Sequence, residues 1–419
     1  MGFASTYLED KAIFREFIKE APRKDTGLVI VVPAFDEPEI GNLVDSLALC
    51  EKPDCATEVI IVINAPPGAG KASIENNRLS KEYIESWKTA HPGSFKLFTI
   101  EINPSELGDW GVGLARKTGM DEAVRRFNSI GKPDGVILNL DADCTVQRNY
   151  LTEIYRELYT KKDRSACSIY FEHPLSGNDF PEIVYRSAIL YELHLRYYFQ
   201  ALAFTGFPYV HHTVGSVIAV KALAYVRAGG MNRRKAGEDF YFIQKLVPAG
   251  GYFNLNTTTV FPSPRCSIRV PFGTGASISR LVETASNQLL TYNFGAFRDL
   301  KNFFNRTDDF FDCKLSGLTE IYKELPESIR QFIPHDEWVA KIMEIKGNTG
   351  GISSFRKRFF NWVNMFRVVK YLNYTHEKYY RKKYVEDSAS ELLRDQGIGP
   401  CGTGALDLLL FYRELEKKG

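Results

Sequence analysis

The chain has 419 residues, of which 44% are hydrophobic and 25% charged, with a formal net charge of +2. That balance excludes a disordered chain, and it provides no global field that would draw the protein to nucleic acid. The length exceeds one compact core, so one large domain with an appendage, or two domains, is expected. The aromatic share of 13% hints at stacking surfaces or an aromatic-rich second region.

In chain order, residues 7–20 have the spacing of a short amphipathic helix, with Leu8, Ala12 and Phe17 between charges. "LVIVV" at 28–32 is an unbroken apolar run of the kind found in buried parallel strands. It leads into "PAFDEPEI" and a predicted helix, "GNLVDSLALC". Further strands are predicted at 58–64 ("EVIIVIN"), 95–103 ("FKLFTIEIN") and 136–140 ("VILNL"). A Gly-bearing loop and the helix "LARKTGMDEAVRRF" separate the last two. Strands alternating with helices in this way indicate a doubly wound α/β sheet. The predicted helix "QRNYLTEIYREL" starts at 147, and after residue 150 come a long aromatic segment over 180–210, the short strand "GSVIAV" and the helix "KALAYVRAG". Beyond "SPRCSIRVPFGTG" at 263–275 the strand signals fade, so a boundary near residue 280 is expected.

The N-terminal stretch "MGFASTYLEDKAIFREF" lacks the basic segment and apolar core of a secretory signal. No run approaches the roughly 20 apolar residues that span a bilayer. The seven cysteines form no CxxC pair, which argues against a zinc ribbon or a disulfide framework. A cytoplasmic protein is expected.

Two glycine-rich stretches fail as nucleotide motifs. "INAPPGAGKAS" at 63–73 has Ala65 and Ala72 where a P-loop needs Gly and Ser or Thr. "DWGVGLARKTG" at 109–119 has Arg116 where a dinucleotide fingerprint needs its third glycine. A Gly-rich turn entering a helix can still bring backbone N–H groups to a diphosphate.

"VILNLDADCTV" places two carboxylates, Asp141 and Asp143, at the end of an apolar strand. Residues i and i+2 of a strand share a face, so both acids can reach one point at the edge where open α/β sheets bind ligands. Three readings compete: a site for a hard cation such as Mg2+ or Mn2+, a phosphatase nucleophile with its acid partner, or a helix cap by Asp143 or Thr145. A cap explains one carboxylate, not both. A haloacid-dehalogenase-type phosphatase ordinarily carries its nucleophile on the first strand, and three strand–helix units precede this one. "AGEDFYF" at 236–242 adds a second acidic pair, Glu238 and Asp239, at a predicted helix start.

Taken in order, these pieces resemble an inverting, family 2-type glycosyltransferase of the GT-A fold, over roughly residues 27–270. "VIVVPAFDEPEIGNLVDSL" is similar to the family's first strand, its Pro-x-(Tyr/Phe)-(Asn/Asp)-Glu turn and its first helix. "EVIIVIN" resembles the second strand, "GVGLARKTGMDEA" the Gly-x-x-x-Ala-Arg segment, and "LNLDADC" the Asp-x-Asp. "GSVIAVKALAYVRAGGMNRRKAGEDFYF" resembles the acceptor-side segment.

The resemblance implies a mostly parallel nucleotide-sugar-binding sheet in 27–280, after an N-terminal helical extension (1–26) and before a mainly helical region (281–419). It implies a hexosyltransferase-like enzyme that moves a sugar from a nucleotide-diphosphate donor to a glycan or lipid-linked hydroxyl with inversion. A non-catalytic sugar-binding protein is the other alternative. Pro33, Phe35, Asp36, Glu37, Asn64, Gly113, Arg116, Asp141, Ala142, Gly215 and Ser216 would line the donor site. Asp36 and Glu37 would lie near base and ribose. Asp141 and Asp143 would hold Mg2+ or Mn2+. Asp239 would be the base, with Glu238 beside it. Asn64 stands where the family has Asp, leaving UDP, GDP and dTDP open. The third metal contact is not located; His211 and His212 are candidates, although a His pair in an aromatic region is more often structural.

Residues 355–387 hold nine Lys/Arg against three Asp/Glu. Phe359, Trp362, Val363, Phe366 and Val369 fall on one helical face. That face is expected to pack on the protein. The alternative is peripheral contact with an anionic membrane at its inner face.

Overall fold

The computed structural model describes residues 2–102, 111–234, 237–267, 269, 273–399, 402 and 404–418. The Gly-bearing loop expected after the third strand lies largely outside them. The chain divides into two compact units. The first comprises Met1–Tyr185, Thr213–Ser279 and Lys417–Gly419; the second comprises Arg186–His212 and Arg280–Glu416.

The first unit is built on one sheet. Its strands are β1 (Thr26–Ala34), β2 (Ala56–Ile63), β3 (Lys96–Glu101), β4 (Val136–Asn139), β5 (Cys144–Val146), β6 (Ala166–Phe171), β7 (Ile218–Lys221) and β8 (Tyr252–Pro262). Their order in space is β3-β2-β1-β4-β7-β6-β8-β5. Strands β3, β2, β1 and β4 run parallel, and β7 opposes both β4 and β6. Strand β8 runs parallel to β6, and β5 pairs antiparallel with β8. The α/β class read from the sequence is the one the chain adopts, as a mixed, mostly parallel sheet flanked by helices.

Every residue of β1 is buried, which is why its apolar run shows no alternation. Pro33 is tolerated in this central strand because the ladder to β4 stops at Val31–Asn139. Its missing N–H therefore interrupts no bond of that ladder. Only Leu140–Asp143 separate β4 from β5, yet the two strands stand four places apart in the sheet. A flat sheet would separate them by roughly 19 Å. The sheet curls instead, and brings the β5–β8 edge to the carboxyl end of β4.

The helices of this unit include α1 (Ser5–Asp10), α2 (Ile40–Ala48), α3 (Lys71–Ala90), α4 (Val112–Ser129), α5 (Tyr150–Ile154), α7 (Ala222–Arg227) and α8 (Glu238–Leu246); α6 (Glu182–Phe204) carries the chain into the second unit. The N-terminal helix expected over 7–20 is a correction. Helix α1 ends at Asp10, and the chain beyond it is irregular up to β1. The cause is α4. Glu122 accepts hydrogen bonds from the backbone N–H groups of Phe17 (3.3 Å) and Ile18 (3.1 Å), and Arg125 donates to the Phe14 carbonyl. Those polar groups satisfy the segment outside a helix. Upstream, Tyr7 and Tyr225 both donate to the buried Asp121, which also pairs with Lys117 at 2.8 Å. The N-terminal strap thus covers a face of α4 that is charged in sequence and buried in the fold.

The second unit is mainly helical and holds one two-stranded ribbon, Leu290–Thr291 with Lys383–Tyr384. The single helical face expected over 355–369 is interrupted. One helix ends at Trp362 and the next starts at Met365, with the Asn364 side chain capping the N–H of Arg367. Phe359 is fully buried in a cluster with Phe303, Phe304, Phe310, Phe355 and Phe360. Val363 is buried as well, and Trp362, Phe366 and Val369 are half-buried. The stripe packs inward, so it does not form the continuous apolar face that membrane contact through 355–387 would use. Among the described residues no helix is long and apolar enough to cross a membrane.

Helix α4 lies close on β1 and β2 because residue 119 is glycine. A Cβ there would sit 2.4 Å from Val31 Cγ1 and 3.0 Å from Val62 Cγ2. Alanine in place of a helical glycine ordinarily stabilises by roughly 0.5–1 kcal/mol. Overpacking costs about 1–3 kcal/mol, so the clash wins. Gly119→Ala is expected to lower the urea midpoint of unfolding; an unchanged or higher midpoint would show that α4 can shift outward freely.

Candidate active site

The two aspartates do not share a strand face. Strand β4 ends at Asn139, and Asp141–Asp143 form a turn in which the Cys144 N–H donates to the Asp141 carbonyl at 3.1 Å. This corrects the i, i+2 argument. It also removes the helix-cap reading: β5 follows at once, and the helix begins only at Tyr150, where its N-cap residue, Asn149, makes no capping hydrogen bond through its side chain. Ala142 is buried between the two acids.

Each aspartate meets its own guanidinium. Arg116, at the start of the second turn of α4 and only 5% exposed, donates through Nη2 to Asp141 and through Nη1 to Glu238. Its guanidinium fills the space beside Gly215, where a Cβ would come within 2.3 Å of Nη1. Gly215 and the buried Ser216 form the tight turn that leads into β7. Gly113, one helical turn before Arg116, has a different reason: a Cβ there would lie 2.2 Å from the Arg234 carbonyl oxygen. The segment that opens α4 and the one that leads to Glu238 therefore meet at backbone contact.

Asp143 meets Arg265. Because β5 pairs with β8 through Cys144 and Pro262, the chain leaving β8 runs alongside the Asp turn. The Ser263 N–H donates to the Asp143 carbonyl at 3.2 Å. Arg265 Nε then donates to Asp143 Oδ2 at 2.8 Å, and its Nη2 reaches Glu37 at 2.5–2.6 Å. Arg269 adds a second guanidinium to Glu37, at 2.5 Å from Oε1, and also donates to the Phe35 carbonyl. Burial, and after it the charge of Asp143, push the Glu37 carboxyl above its ordinary range; the two arginines pull it back. Neither Arg265 nor Arg269 stood out in sequence. The available signal was their spacing of four, directly after a strand.

The first turn after β1 is held from α3. Asp36 has a positive φ of 57°. Its carboxylate accepts from Ser73 (3.0 Å) and Asn76 (2.6 Å), while its N–H donates to Asn77. Asn64, at the end of β2 and buried, donates to the Gly111 carbonyl at 3.1 Å and so ties the second strand to the start of α4. Phe35 is half-buried. His212 binds Glu416 and stacks on Phe199 at 4.6 Å, within the second unit.

Glu238 and Asp239 open α8 after Gly237, which takes a left-handed φ of 72°. Glu238 is 2% exposed and engaged by Arg116. Asp239 is half-buried, and its Oδ1 accepts from the Phe240 N–H at 2.7 Å. Burial first, and the charge of Glu238 next, push the Asp239 carboxyl up to about 6, against the pull of Arg116. Its place within the helix is not that of a cap, since Gly237 holds the N-cap position.

The acidic turn fits a hard cation. Asp143 is 25% exposed, and a guanidinium already stands as the positive charge on its Oδ2. Among the described residues no group of three or more His, Cys, Asp or Glu converges on a common point. A cation would thus draw on one or two carboxylates of the chain and take its other ligands from elsewhere, the lean protein donor set typical of Mg2+.

No family model matches the chain, and no curated protein does. Among solved structures it is similar to S. aureus TarS 1-349 in complex with UDP-GlcNAc, with 14% identity and a TM-score of 0.41. That likeness covers 81% of this chain and 93% of the other. It is also similar to glucosyl-3-phosphoglycerate synthase from Mycobacterium tuberculosis in complex with Mn2+, UDP-glucose and glycerol 3-phosphate. There the identity is 11% and the TM-score 0.33, over 57% of this chain and 77% of that one.

The raised Asp239 carboxyl has a consequence for stability. In the folded chain it holds its proton up to about pH 6, against an ordinary value of 3.8. The stability it contributes is complete below the lower value and is lost as pH rises through the upper one. Asp239→Asn removes that loss. Between pH 4 and 7, the variant should gain stability relative to the native chain in paired urea titrations. A constant difference across that window would place the carboxyl at its ordinary value.

Proposed function

We propose that the protein is a glycosyltransferase that takes a sugar from a nucleotide-diphosphate donor and passes it, with inversion, to an acceptor hydroxyl. The observation that carries this reading is the bridge made by Arg116. One buried guanidinium links the strand-end acid Asp141 to Glu238, the neighbour of Asp239. Donor-side charge and an acid suited to proton transfer therefore belong to one cluster, at the sheet edge where α/β proteins bind ligands.

In this reaction the acceptor oxygen forms a bond to the anomeric carbon as the bond from that carbon to the diphosphate breaks. The electron pair leaves with the nucleoside diphosphate. The acceptor proton passes to Asp239, whose raised affinity for a proton near neutral pH suits a general base. Glu238 holds Arg116 in place, and Arg116 in turn keeps positive charge at Asp141. A divalent cation, Mg2+ or Mn2+, held by Asp143 and Asp141, would supply positive charge against the diphosphate as it departs. Asn64 and the Asp36–Glu37 turn frame the nucleoside side of the site. The acceptor class, a glycan or a lipid-linked hydroxyl, rests on the sequence resemblance.

Two measurements test the proposal. Nucleoside diphosphates with Mn2+ should raise the melting temperature, since a ligand that binds only the folded state stabilises it. Hydrolysis of simple phosphate esters without any response to nucleotides would point to a phosphatase instead. In turnover assays Asp239→Asn should lose ~10²–10⁴-fold in rate while donor affinity holds. The native profile should fall on the acid side of pH about 6, as the base takes up its proton. Near-normal turnover in the variant would remove Asp239 from the mechanism.

A further inference from the structure

Five carboxylates of the cluster, on Glu37, Asp141, Asp143, Glu238 and Asp239, face three guanidinium groups, those of Arg116, Arg265 and Arg269. The three arginines are not held alike. Arg116 is 5% exposed and pinned by a carboxylate on each Nη, with Gly215 packed against it. Arg265 is 22% exposed and meets Asp143, itself 25% exposed, so solvent and ligands can reach the pair. The other partner of Arg265, Glu37, has a second guanidinium in Arg269. If Arg265 left, the Glu37 charge would stay paired through Arg269. Only Asp143 would lose its positive neighbour.

Arg269, 27% exposed, also pairs with Glu37, but its departure would uncover no carboxylate because Arg265 stays on Glu37; Arg265 is the arginine whose release opens a carboxylate to a cation. A nucleoside diphosphate brings further negative charge to a site that is already rich in carboxylates. Moving an arginine from a carboxylate to a phosphate relocates positive charge without adding any, so the carboxylate left behind needs a replacement. A divalent cation at Asp143 provides it. The planar guanidinium is then free to take phosphate oxygens through two parallel N–H bonds.

We propose that Arg265 exchanges partners during donor binding: without donor it occupies Asp143, and with donor it turns to the diphosphate while a divalent cation takes Asp143. This rests on the glycosyltransferase reading above. It assigns a positioning and binding role to a residue of the β8 exit that no sequence motif marked. Arg265 and the cation compete for one carboxylate in the empty site and cooperate once the nucleotide is present. Such a coupling is reciprocal, so nucleotide and cation must each tighten the other.

The experiment uses the full chain with Mn2+ alone, followed by free-ion paramagnetic resonance, and with UDP and GDP by calorimetry, in EDTA and in Mn2+. In Arg265→Gln, Mn2+ should bind about tenfold tighter without nucleotide, because its competitor is gone. In Mn2+, the same variant should bind the nucleotide about tenfold weaker. Both magnitudes are of the order seen when groups around a metal site are altered. Arg265→Lys keeps a charge but loses the fork, so its Mn2+ affinity should stay near the native value while nucleotide affinity falls; it also carries the test if the Gln variant does not fold. An Arg265→Gln protein that folds yet binds Mn2+ no more tightly than the native chain overturns the exchange. Native protein that binds neither nucleotide under either condition overturns the glycosyltransferase reading. The Mn2+ comparison then still decides whether Arg265 and a cation compete for Asp143.

Discussion

The first unit depends on one buried guanidinium. Arg116 leaves the N-terminal half of α4 and divides its Nη groups between Asp141, just past the end of β4, and Glu238, at the start of α8. Arg116 and Glu238 form a buried pair, and removing one partner of such a pair typically costs about 3–5 kcal/mol because the other is left charged and dry; Asp141, 37% exposed, keeps access to water. Three segments far apart in sequence are thereby held to one geometry. Three glycines make the arrangement possible by having no side chain: Gly119 against β1, Gly113 against the Arg234 carbonyl, and Gly215 against the guanidinium itself.

The same constraint explains the charge along α4. Arg116, Lys117, Asp121, Glu122 and Arg126 are all buried, as they would not be on an ordinary amphipathic helix. Each has an ionic partner: Arg126 meets Glu58 of β2, and Lys117 meets Asp121 under Tyr7 and Tyr225. Glu122 meets Arg125 and takes backbone N–H groups of the N-terminal strap. A helix with this many buried ion pairs beside its apolar packing on the sheet cannot slide without breaking several of them together.

Much of the sheet was legible in the chain. The unbroken runs around Val29, Ile60 and Ile137 mark buried parallel strands, since no other common element hides both faces of so short a segment. The apolar stripe around Phe359 was legible as packing. The break between Trp362 and Met365 was not, because periodicity reports a face and says little about where a helix stops. The N-terminal segment misled for a related reason: its spacing permits a helix, but Glu122 and Arg125, more than a hundred residues away, offer its backbone better partners.

For the site, sequence alone determined the residue types and their order: an acidic turn after the first strand, an arginine near the start of a helix, two aspartates past an apolar strand, and an acidic pair after Gly237. Those features are local, and local chemistry is what a linear pattern carries. Only the tertiary structure decided which charges face one another. Asp141 meets Arg116 across 25 residues, and Asp143 meets Arg265 across 122. The second pairing exists because the sheet curls and β8 delivers its exit loop to the Asp turn. No short-range pattern encodes that curl. It follows from strand order, which is settled by how the whole sheet closes over its core.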